Sequence, residues 1–107
     1  MAPPDDLQLI EHHVEAFNHG VRTGDWEPML AGFAPDARMR FPELEFAGVD
    51  EIRAAYFERP PDETITILSV DDGVAAFRWD GNGGTGTMEF ELADGRVTRL
   101  TVAFDER

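Results

Sequence analysis

The stretch from Phe17 to Asp36, FNHGVRTGDWEPMLAGFAPD, restricts the fold more than any other part of this chain. It begins with the end of an amphipathic helix, because Phe17 and Val21 lie four residues apart and share one helical face. Gly24 is typical of a helix end, where it takes a left-handed conformation. Asp25 predicts the cap of a short second helix, which the final Ala-Pro-Asp ends. Two helices with one apolar face each need a further layer to bury those faces.

Spacing predicts three helices. Apolar residues three and four positions apart give the first helix, which starts near Asp6, one buried stripe, formed by Leu7, Ile10, Val14, Phe17 and Val21. The second helix is expected over residues 26–32. The third is expected over residues 49–57, with Asp50 as its cap. The buried side of this third helix is formed by Ile52, Ala55 and Tyr56.

The rest of the chain alternates between apolar and polar residues, as strands do. A first strand is expected over residues 37–42. Four more follow, separated by turn dipeptides, over residues 64–70, 74–80, 85–93 and 96–105. Helices before a curved antiparallel or mixed sheet predict an α+β fold, in which the sheet wraps on the N-terminal helices as a cone. We expect residues 1–107 to form a single domain.

Charge and composition exclude several functions. The 9 basic residues against 22 acidic ones give a net charge of −13, which repels phosphate backbones and anionic membrane surfaces. Nucleic-acid and membrane partners are therefore not expected, whereas neutral or cationic small molecules are compatible. The chain has no cysteine, so it has no disulfide, thiolate nucleophile or Cys-based metal site. Without a signal-like N-terminus or a long apolar run, we expect a cytoplasmic protein.

Three segments of the chain resemble the nuclear transport factor 2-like, or SnoaL-like, superfamily. They are FNHGVRTGDWEPMLAGFAPDA at 17–37, GVDEIRAAY at 48–56 and DGRVTRLTVAFD at 94–105. The resemblance covers nearly the whole chain and implies a cone-shaped α+β barrel with room for a small apolar ligand. It also implies homodimerisation through the outer sheet face. The superfamily includes isomerases, hydrolases, dehydratases, cyclases and binding modules, so the fold does not identify the chemistry.

Two catalytic patterns of this superfamily can be compared with the chain. Ketosteroid isomerases use an Asp base, a Tyr and a protonated Asp, and the matching positions resemble Phe41, Phe17 and Met88, which are all apolar. That apparatus is therefore not expected. Limonene epoxide hydrolases use an Arg-x-Asp pair, which Arg78-Trp79-Asp80 resembles. Their further Asp on the last strand corresponds to Val102, unless Asp105 replaces it from the strand end.

The resemblance makes Asp80 the candidate base and Arg78 its partner. Two residues apart on a strand, they share one face and can pair. An alternative stays open, because Phe77 and Trp79 can point into the cone instead. Arg78 and Asp80 would then lie outside, where Arg78 would meet the acidic residues Glu89 or Glu91 of the next strand as surface ion pairs.

Two more polar residues are candidates for polarising a substrate. His13 lies beside the buried stripe of the first helix, and its pKa would lie close to neutral. Tyr56 can donate a phenolic hydrogen bond to a ligand oxygen. Both also fit structural roles, His13 as a boundary residue and Tyr56 as a core residue with a hydrated hydroxyl.

One face of the first helix has the residue types of a metal site, formed by His12, Glu15 and His19. A solvated face is the preferred interpretation, so no metal and no cofactor is predicted. Arg38 and Arg40 are expected on the outer face, because Met39 and Phe41 are better suited to the core. From the outer face the two arginines could serve a dimer interface.

The predicted ligand pocket is apolar and is formed by Phe17, Phe33, Phe41, Trp79, Met88, Phe90 and Val102. The predicted function is a small-molecule pocket, with enzymatic hydrolysis or an isomerase-like step on a neutral apolar substrate. The alternative is a non-catalytic module that binds an apolar ligand or mediates a dimeric interaction.

Overall fold

The computed structural model of this protein describes residues 6–81 and 83–105. These residues form three helices, which are α1 (Asp6–Thr23), α2 (Glu27–Leu30) and α3 (Val49–Glu58). They also form six strands, which are β1 (Phe33–Arg40), β2 (Glu45–Ala47), β3 (Ile65–Asp71), β4 (Val74–Trp79), β5 (Thr85–Ala93) and β6 (Arg96–Phe104).

The six strands form one curved, unclosed sheet in the order β2-β1-β6-β5-β4-β3. The β1–β6 pair is parallel and the other four pairs are antiparallel, so the sheet is mixed. The helices pack against one face, where α3 contacts β1 and α1 contacts β3. The predicted α+β cone, with a mixed sheet on N-terminal helices, is confirmed.

Two Asp-Gly turns set the register of the sheet. Asp72 and Gly73 have φ angles of 50° and 78°, and Asp94 and Gly95 have φ angles of 54° and 75°. Two successive positive φ angles are typical of the two-residue hairpin turn whose twist matches that of the flanking strands. The strands on either side lie within one residue of their predicted bounds.

The start of the sheet differs from its prediction. β1 begins at Phe33 and includes Pro35, although residues 34–36 were expected to form a turn. A proline fits here because the β1–β6 pairing is interrupted between Phe33 and Arg38, so Pro35 does not have to donate a ladder hydrogen bond. β2 was not predicted, because a three-residue edge strand with one half-buried side chain, Phe46, is too short for alternation.

The helix caps also differ in part. The Asp25 carboxylate accepts a hydrogen bond from the Glu27 amide at 3.2 Å, although Trp26 is the residue that precedes α2. The prediction that Asp50 caps α3 is wrong, since Gly48 precedes that helix with a φ of 91° and no side-chain cap is present. The Asp50 carboxylate instead forms an ion pair with Arg53, with 3.1 Å between Oδ1 and Nη1.

The core contains Trp26, which packs directly onto the backbone of α1. A Cβ atom on Gly20 would lie 2.7 Å from Cδ2 of the Trp26 ring, so no larger residue fits at position 20. Trp26 also contacts Tyr56 of α3, with ring centroids 5.0 Å apart, and Phe17 of α1 at 5.7 Å. This aromatic cluster joins all three helices and fixes α3 above the sheet.

Candidate functional site

A cavity of about 480 Å³, the main cavity, lies between α1, α3 and the inner face of the sheet. Its wall consists of His13, Phe17, Met39, Phe41, Leu44, Phe46, Ala55, Tyr56, Glu58, Arg59, Pro61, Ile65, Phe77, Trp79, Met88, Leu100, Val102 and Phe104. Five of these residues carry a polar or charged side-chain group. Glu58 and Arg59 are exposed, so the polar groups in the rest of the wall are those of His13 and Tyr56 and the indole N–H of the half-buried Trp79.

Strand alternation builds this wall. In β4, Phe77 and Trp79 point inward while Arg78 between them is exposed. The same two-residue period brings Met88 of β5 to the cavity, together with Leu100 and Val102 of β6. Because large apolar side chains occupy the concave face, the sheet presents them as a continuous hydrophobic surface opposite α1 and α3.

Tyr56 supplies a hydroxyl group inside this surface. The residue is 7% exposed, and its hydroxyl donates to Met39 Sδ at 3.9 Å, its only hydrogen bond among the described residues. A thioether sulfur is a weak acceptor, so the hydroxyl can exchange it for a better one. Burial raises the pKa of Tyr56 far above its ordinary value, so the phenol keeps its proton and remains a donor.

His13 is the second buried polar group of the wall. It is 5% exposed, and its ring meets those of Phe33 and Phe90 edge-on, with centroids 5.5 and 5.3 Å away. Burial, and to a smaller extent the neighbouring His12, lowers the pKa of His13 to about 4. The imidazole is therefore neutral at physiological pH, so it has one donor and one acceptor nitrogen.

The mouth of the main cavity is also apolar. Leu44 is 58% exposed and Phe104 is 45% exposed. Phe41 lies between them and the interior, with its ring centroid 6.5 Å from that of Phe104 and 6.3 Å from that of Phe46. The mouth therefore combines accessible aromatic rings with the two charged residues at the end of α3.

Arg78 and Asp80 do not reach the main cavity. Both are exposed, and the strand follows the alternative in which Phe77 and Trp79 face inward. The Asp80 carboxylate accepts hydrogen bonds from the hydroxyls of Thr64 and Thr66, each at 2.6 Å. These two bonds, more than the charge of Arg78, lower the pKa of Asp80. The geometry needed for Asp80 to act as a base on a bound ligand is not present.

The ion pairs expected beside this pair also differ. Glu91 lies 3.6 Å from Arg99 of β6, and no ion pair joins Arg78 to Glu89 or Glu91 within the described residues. The register explains this arrangement, since Arg78 of β4 faces Thr85 of β5 while Glu91 of β5 faces Arg99. Position along the neighbouring strand, and not charge alone, determines these partners.

The predicted pocket residues fall into two groups. Five line the main cavity, namely Phe17, Phe41, Trp79, Met88 and Val102. Phe33 and Phe90 do not, because both pack against the His13 ring. Three further lining residues were not predicted as pocket residues, although each lies two positions from one that was: Met39, Phe77 and Leu100.

The helical face that resembled a metal site is solvated. His12, Glu15 and His19 are all exposed, and His19 Nε2 lies 3.9 Å from a carboxylate oxygen of Asp25. Over residues 6–81 and 83–105, no three His, Asp, Glu or Cys side chains are grouped in a way that would hold a metal ion. In the same residues no helix is both long and apolar enough to cross a membrane.

Comparison with solved structures supports the fold. A candidate ketosteroid isomerase from Kribbella flavida DSM 17836 superposes with a TM-score of 0.77 at 23% identity, over 95% of this chain and 78% of that chain. An NTF2-like protein from Anabaena variabilis ATCC 29413 gives 0.75 at 19% identity, over 100% and 96% of the two chains. A candidate polyketide cyclase from Xanthomonas campestris pv. campestris gives 0.65 at 23% identity, over 94% and 90%.

Comparison with families is more direct. No curated protein matches the sequence. The SnoaL-like domain matches residues 11–103, which include most of α1, all of α2 and α3, and nearly the whole sheet. The elements that enclose the main cavity are therefore those of the matched domain, and the chain belongs to the SnoaL-like domain family.

Proposed function

We propose that this protein binds one small, uncharged and largely apolar molecule in the main cavity. The observation that supports this most is a cavity of about 480 Å³ whose wall, away from its exposed rim, is apolar except for His13, Tyr56 and the indole N–H of Trp79. This volume lies within the range of about 300–1,000 Å³ that is usual for ligand sites, and an apolar wall with few polar groups is their usual character. The Tyr56 hydroxyl would donate a hydrogen bond to a ligand oxygen in place of Met39 Sδ.

Charge supports an uncharged ligand. An ion that enters this cavity loses its hydration, and neither neutral His13 nor protonated Tyr56 offers it an opposite charge. The net charge of −13 also slows the approach of anions. A neutral molecule encounters neither barrier, and burial of its apolar surface would stabilise the complex by about 25 cal/mol per Å².

An enzyme that acts on such a molecule is the second candidate function. Two similar solved structures are candidates for a ketosteroid isomerase and a polyketide cyclase, which are catalytic activities. In this chain, Tyr56 and His13 are the predicted polarising groups that reach the cavity, whereas Asp80 and Arg78 lie outside it. An isomerase-like or hydrolytic step would therefore depend on Tyr56 and His13.

Binding is tested with Nile red, a neutral apolar dye whose emission rises in apolar surroundings. We expect saturable, one-site binding to the wild type. Val102→Trp fills the cavity and should weaken binding by at least about tenfold, since the ligand would have to displace the new ring. Ala54→Trp is the control, because this residue of α3 is exposed, lies outside the cavity wall and is not part of the sheet. Equal binding by both variants, or no saturable binding by the wild type, would contradict the proposal.

Catalysis is tested separately with a panel of apolar epoxides, lactones and unsaturated ketones. Turnover that falls in Tyr56→Phe and His13→Leu, while Nile red still binds, would support an enzyme built on those two residues. Turnover that requires Asp80 and Arg78 would instead favour the hydrolase pair suggested by the Arg-x-Asp pattern. Binding without turnover across the panel would favour the non-catalytic alternative.

We also propose that the outer sheet face forms a homodimer. Four arginines lie on that face (Arg38, Arg40, Arg78 and Arg99) among carboxylates that include Glu45, Asp71, Asp80, Glu89 and Glu91, so the face is close to neutral in a chain of net charge −13. Near its centre, Thr87 pairs with Ala76 on one side and with Ala103 on the other, which gives a surface of small, uncharged side chains. Two copies can therefore approach here with little repulsion.

Sedimentation velocity tests this dimer. Thr87→Arg would add a charge at the centre of the face and should shift a dimeric wild type to monomer. An exposed residue of α1, Glu15, gives the matched control Glu15→Arg, which should leave the dimer intact. A monomeric wild type would refute the dimer.

The absence of cysteine and the acidic composition fit our expectation of a cytoplasmic protein, which cell fractionation would test.

A further inference from the structure

The buried imidazole of His13 makes no hydrogen bond to any other described residue. Among those residues, no fully enclosed side-chain nitrogen or oxygen lacks a partner. Each ring nitrogen of His13 therefore keeps some accessible surface, and the residue borders two cavities. One is the main cavity, and the other is a side cleft of about 200 Å³ between α1, α2 and the β5–β6 turn.

The hydrogen-bonding groups of the main cavity determine which ligand groups can be paired there. Apart from the exposed Glu58 and Arg59, the side-chain nitrogen and oxygen atoms of the main cavity belong to His13, Tyr56 and Trp79, and the Trp79 indole nitrogen can only donate. Tyr56 donates its hydroxyl hydrogen to Met39 Sδ, and its oxygen can also accept a hydrogen bond. A ligand donor in this cavity therefore has two acceptors, the unprotonated nitrogen of His13 and the Tyr56 oxygen, and the imidazole nitrogen is the stronger because it is the more basic.

From this arrangement we propose that His13 recognises a hydroxyl group on the bound molecule, so that the ligand is an apolar alcohol or phenol. The assignment rests on the proposed binding function and specifies its ligand class. A hydroxyl is uncharged, which suits a cavity without opposite charges, and it donates one hydrogen bond to the imidazole nitrogen. A hydrocarbon or an ether of the same shape leaves that nitrogen without a partner, which is the larger penalty in a buried site.

The protonation state of the ring supports this recognition. Because burial lowers the pKa of His13 to about 4, the acceptor nitrogen keeps its lone pair throughout the physiological range. A protonated imidazole would have two donors and no acceptor, and would reject a hydroxyl hydrogen. The edge-on contacts with Phe33 and Phe90 restrict the plane of the imidazole before a ligand binds.

The test uses 2-naphthol and 2-methoxynaphthalene, which share a ring system and an oxygen but differ in the donor hydrogen. Each probe displaces Nile red from the wild type, from His13→Leu and from His13→Gln. We expect the wild type to prefer 2-naphthol by about tenfold, the usual effect of one buried hydrogen bond. His13→Leu should lose this preference, and His13→Gln, which keeps an acceptor, should restore part of it.

Nitrogen-15 spectroscopy of the wild type gives a readout that a structural role would not change. The resonance of the unprotonated His13 nitrogen should shift when 2-naphthol binds and stay in place when 2-methoxynaphthalene binds. This comparison needs no variant, so it stands even where a substitution at position 13 impairs folding.

The outcomes are distinct. Equal affinity of the two probes in the wild type, or a preference that survives in His13→Leu, overturns the assignment to His13 while the binding function stands. Absence of saturable Nile red binding overturns both. A preference that disappears in His13→Leu, together with a nitrogen shift specific to 2-naphthol, supports the assignment.

Discussion

Asn18 holds the first residue of the edge strand β3, and its removal should destabilise the fold. Its side-chain amide donates to the Ile65 carbonyl at 2.9 Å and accepts from the Ile65 amide at 2.9 Å. β3 has only β4 as a neighbour, so these two backbone groups point away from the sheet. Asn18 thus does for Ile65 what a further strand would do, although the two residues are 47 positions apart.

The size of the effect of Asn18→Ala follows from these contacts. Two lost hydrogen bonds at about 1 kcal/mol each, less about 0.5 kcal/mol gained from the helix propensity of alanine, give a lower value near 1.5 kcal/mol. If the two groups of Ile65, which is 5% exposed, stay away from water, each adds its own desolvation penalty. We therefore expect a loss of about 1.5–4 kcal/mol in the free energy of unfolding.

Urea unfolding followed by circular dichroism measures this loss, and Glu15→Ala, an exposed change on the same helix, is the control. The control should change the free energy by less than about 0.5 kcal/mol. Hydrogen exchange of the Ile65 amide should accelerate in Asn18→Ala before global unfolding does. A loss below about 1 kcal/mol with an unchanged exchange rate at Ile65 would refute the view that Asn18 satisfies this strand.

Three further predictions concern the core and two titrating groups. Gly20→Ala should lower the free energy of unfolding by about 1–3 kcal/mol in urea titrations, because the new methyl group overlaps the Trp26 ring. An unchanged urea midpoint would contradict this packing. Asp80→Ala should lower the urea midpoint at pH 7. Hydrogen bonds lower the pKa of Asp80 below its ordinary value of 3.8, so this stabilisation is present above that pH and is lost as the pH falls through the folded-state pKa. A difference between Asp80→Ala and the wild type that persists in strong acid would contradict the assignment. Between pH 4 and 6.5, His13 binds fewer protons in the folded state than in the unfolded state. The free energy of unfolding of the wild type should therefore rise by about 3 kcal/mol as the pH increases across that window, and His13→Leu should remove this increase.

Most of the fold could be predicted because its signals are local. The strands from β3 to β6 repeat a two-residue pattern between clear turns, and the stripe from Leu7 to Val21 repeats a helical one. β2 could not be found, because its three residues are ordered by pairing with β1 and not by their own sequence. The contact between Asn18 and Ile65 was missed for a similar reason, since an asparagine on a helix does not indicate which distant backbone it will bind.

The candidate site shows a different limit. Alternation predicts which residues share a face, and Met88 and Val102 line the cavity as the alternation predicted. It does not give the depth of a residue along the cone, so Phe33 and Phe90 were assigned to the wall although they pack on His13. Nor does it reveal that the nitrogens of His13 have no hydrogen-bond partner among the described residues, which depends on every neighbouring element at once.

The Arg-x-Asp pattern illustrates why a motif needs its face to be determined. The two-residue spacing puts Arg78 and Asp80 on one face of the chain at β4 and puts Phe77 and Trp79 on the opposite face. Only one of the two pairs can therefore face the cavity. Burying two aromatic rings is favourable, whereas burying two ions requires full compensation, so the rings take the concave face.

Once outside, Asp80 acquires a structural contact that also serves the cavity. Its carboxylate binds the hydroxyls of Thr64 and Thr66, on either side of Ile65, while Asn18 binds the backbone of Ile65 from the helix. Ile65 and Trp79 are paired across the strands, and both line the main cavity. The residue that the sequence suggested as a base therefore helps, from outside, to hold one wall of the site in place.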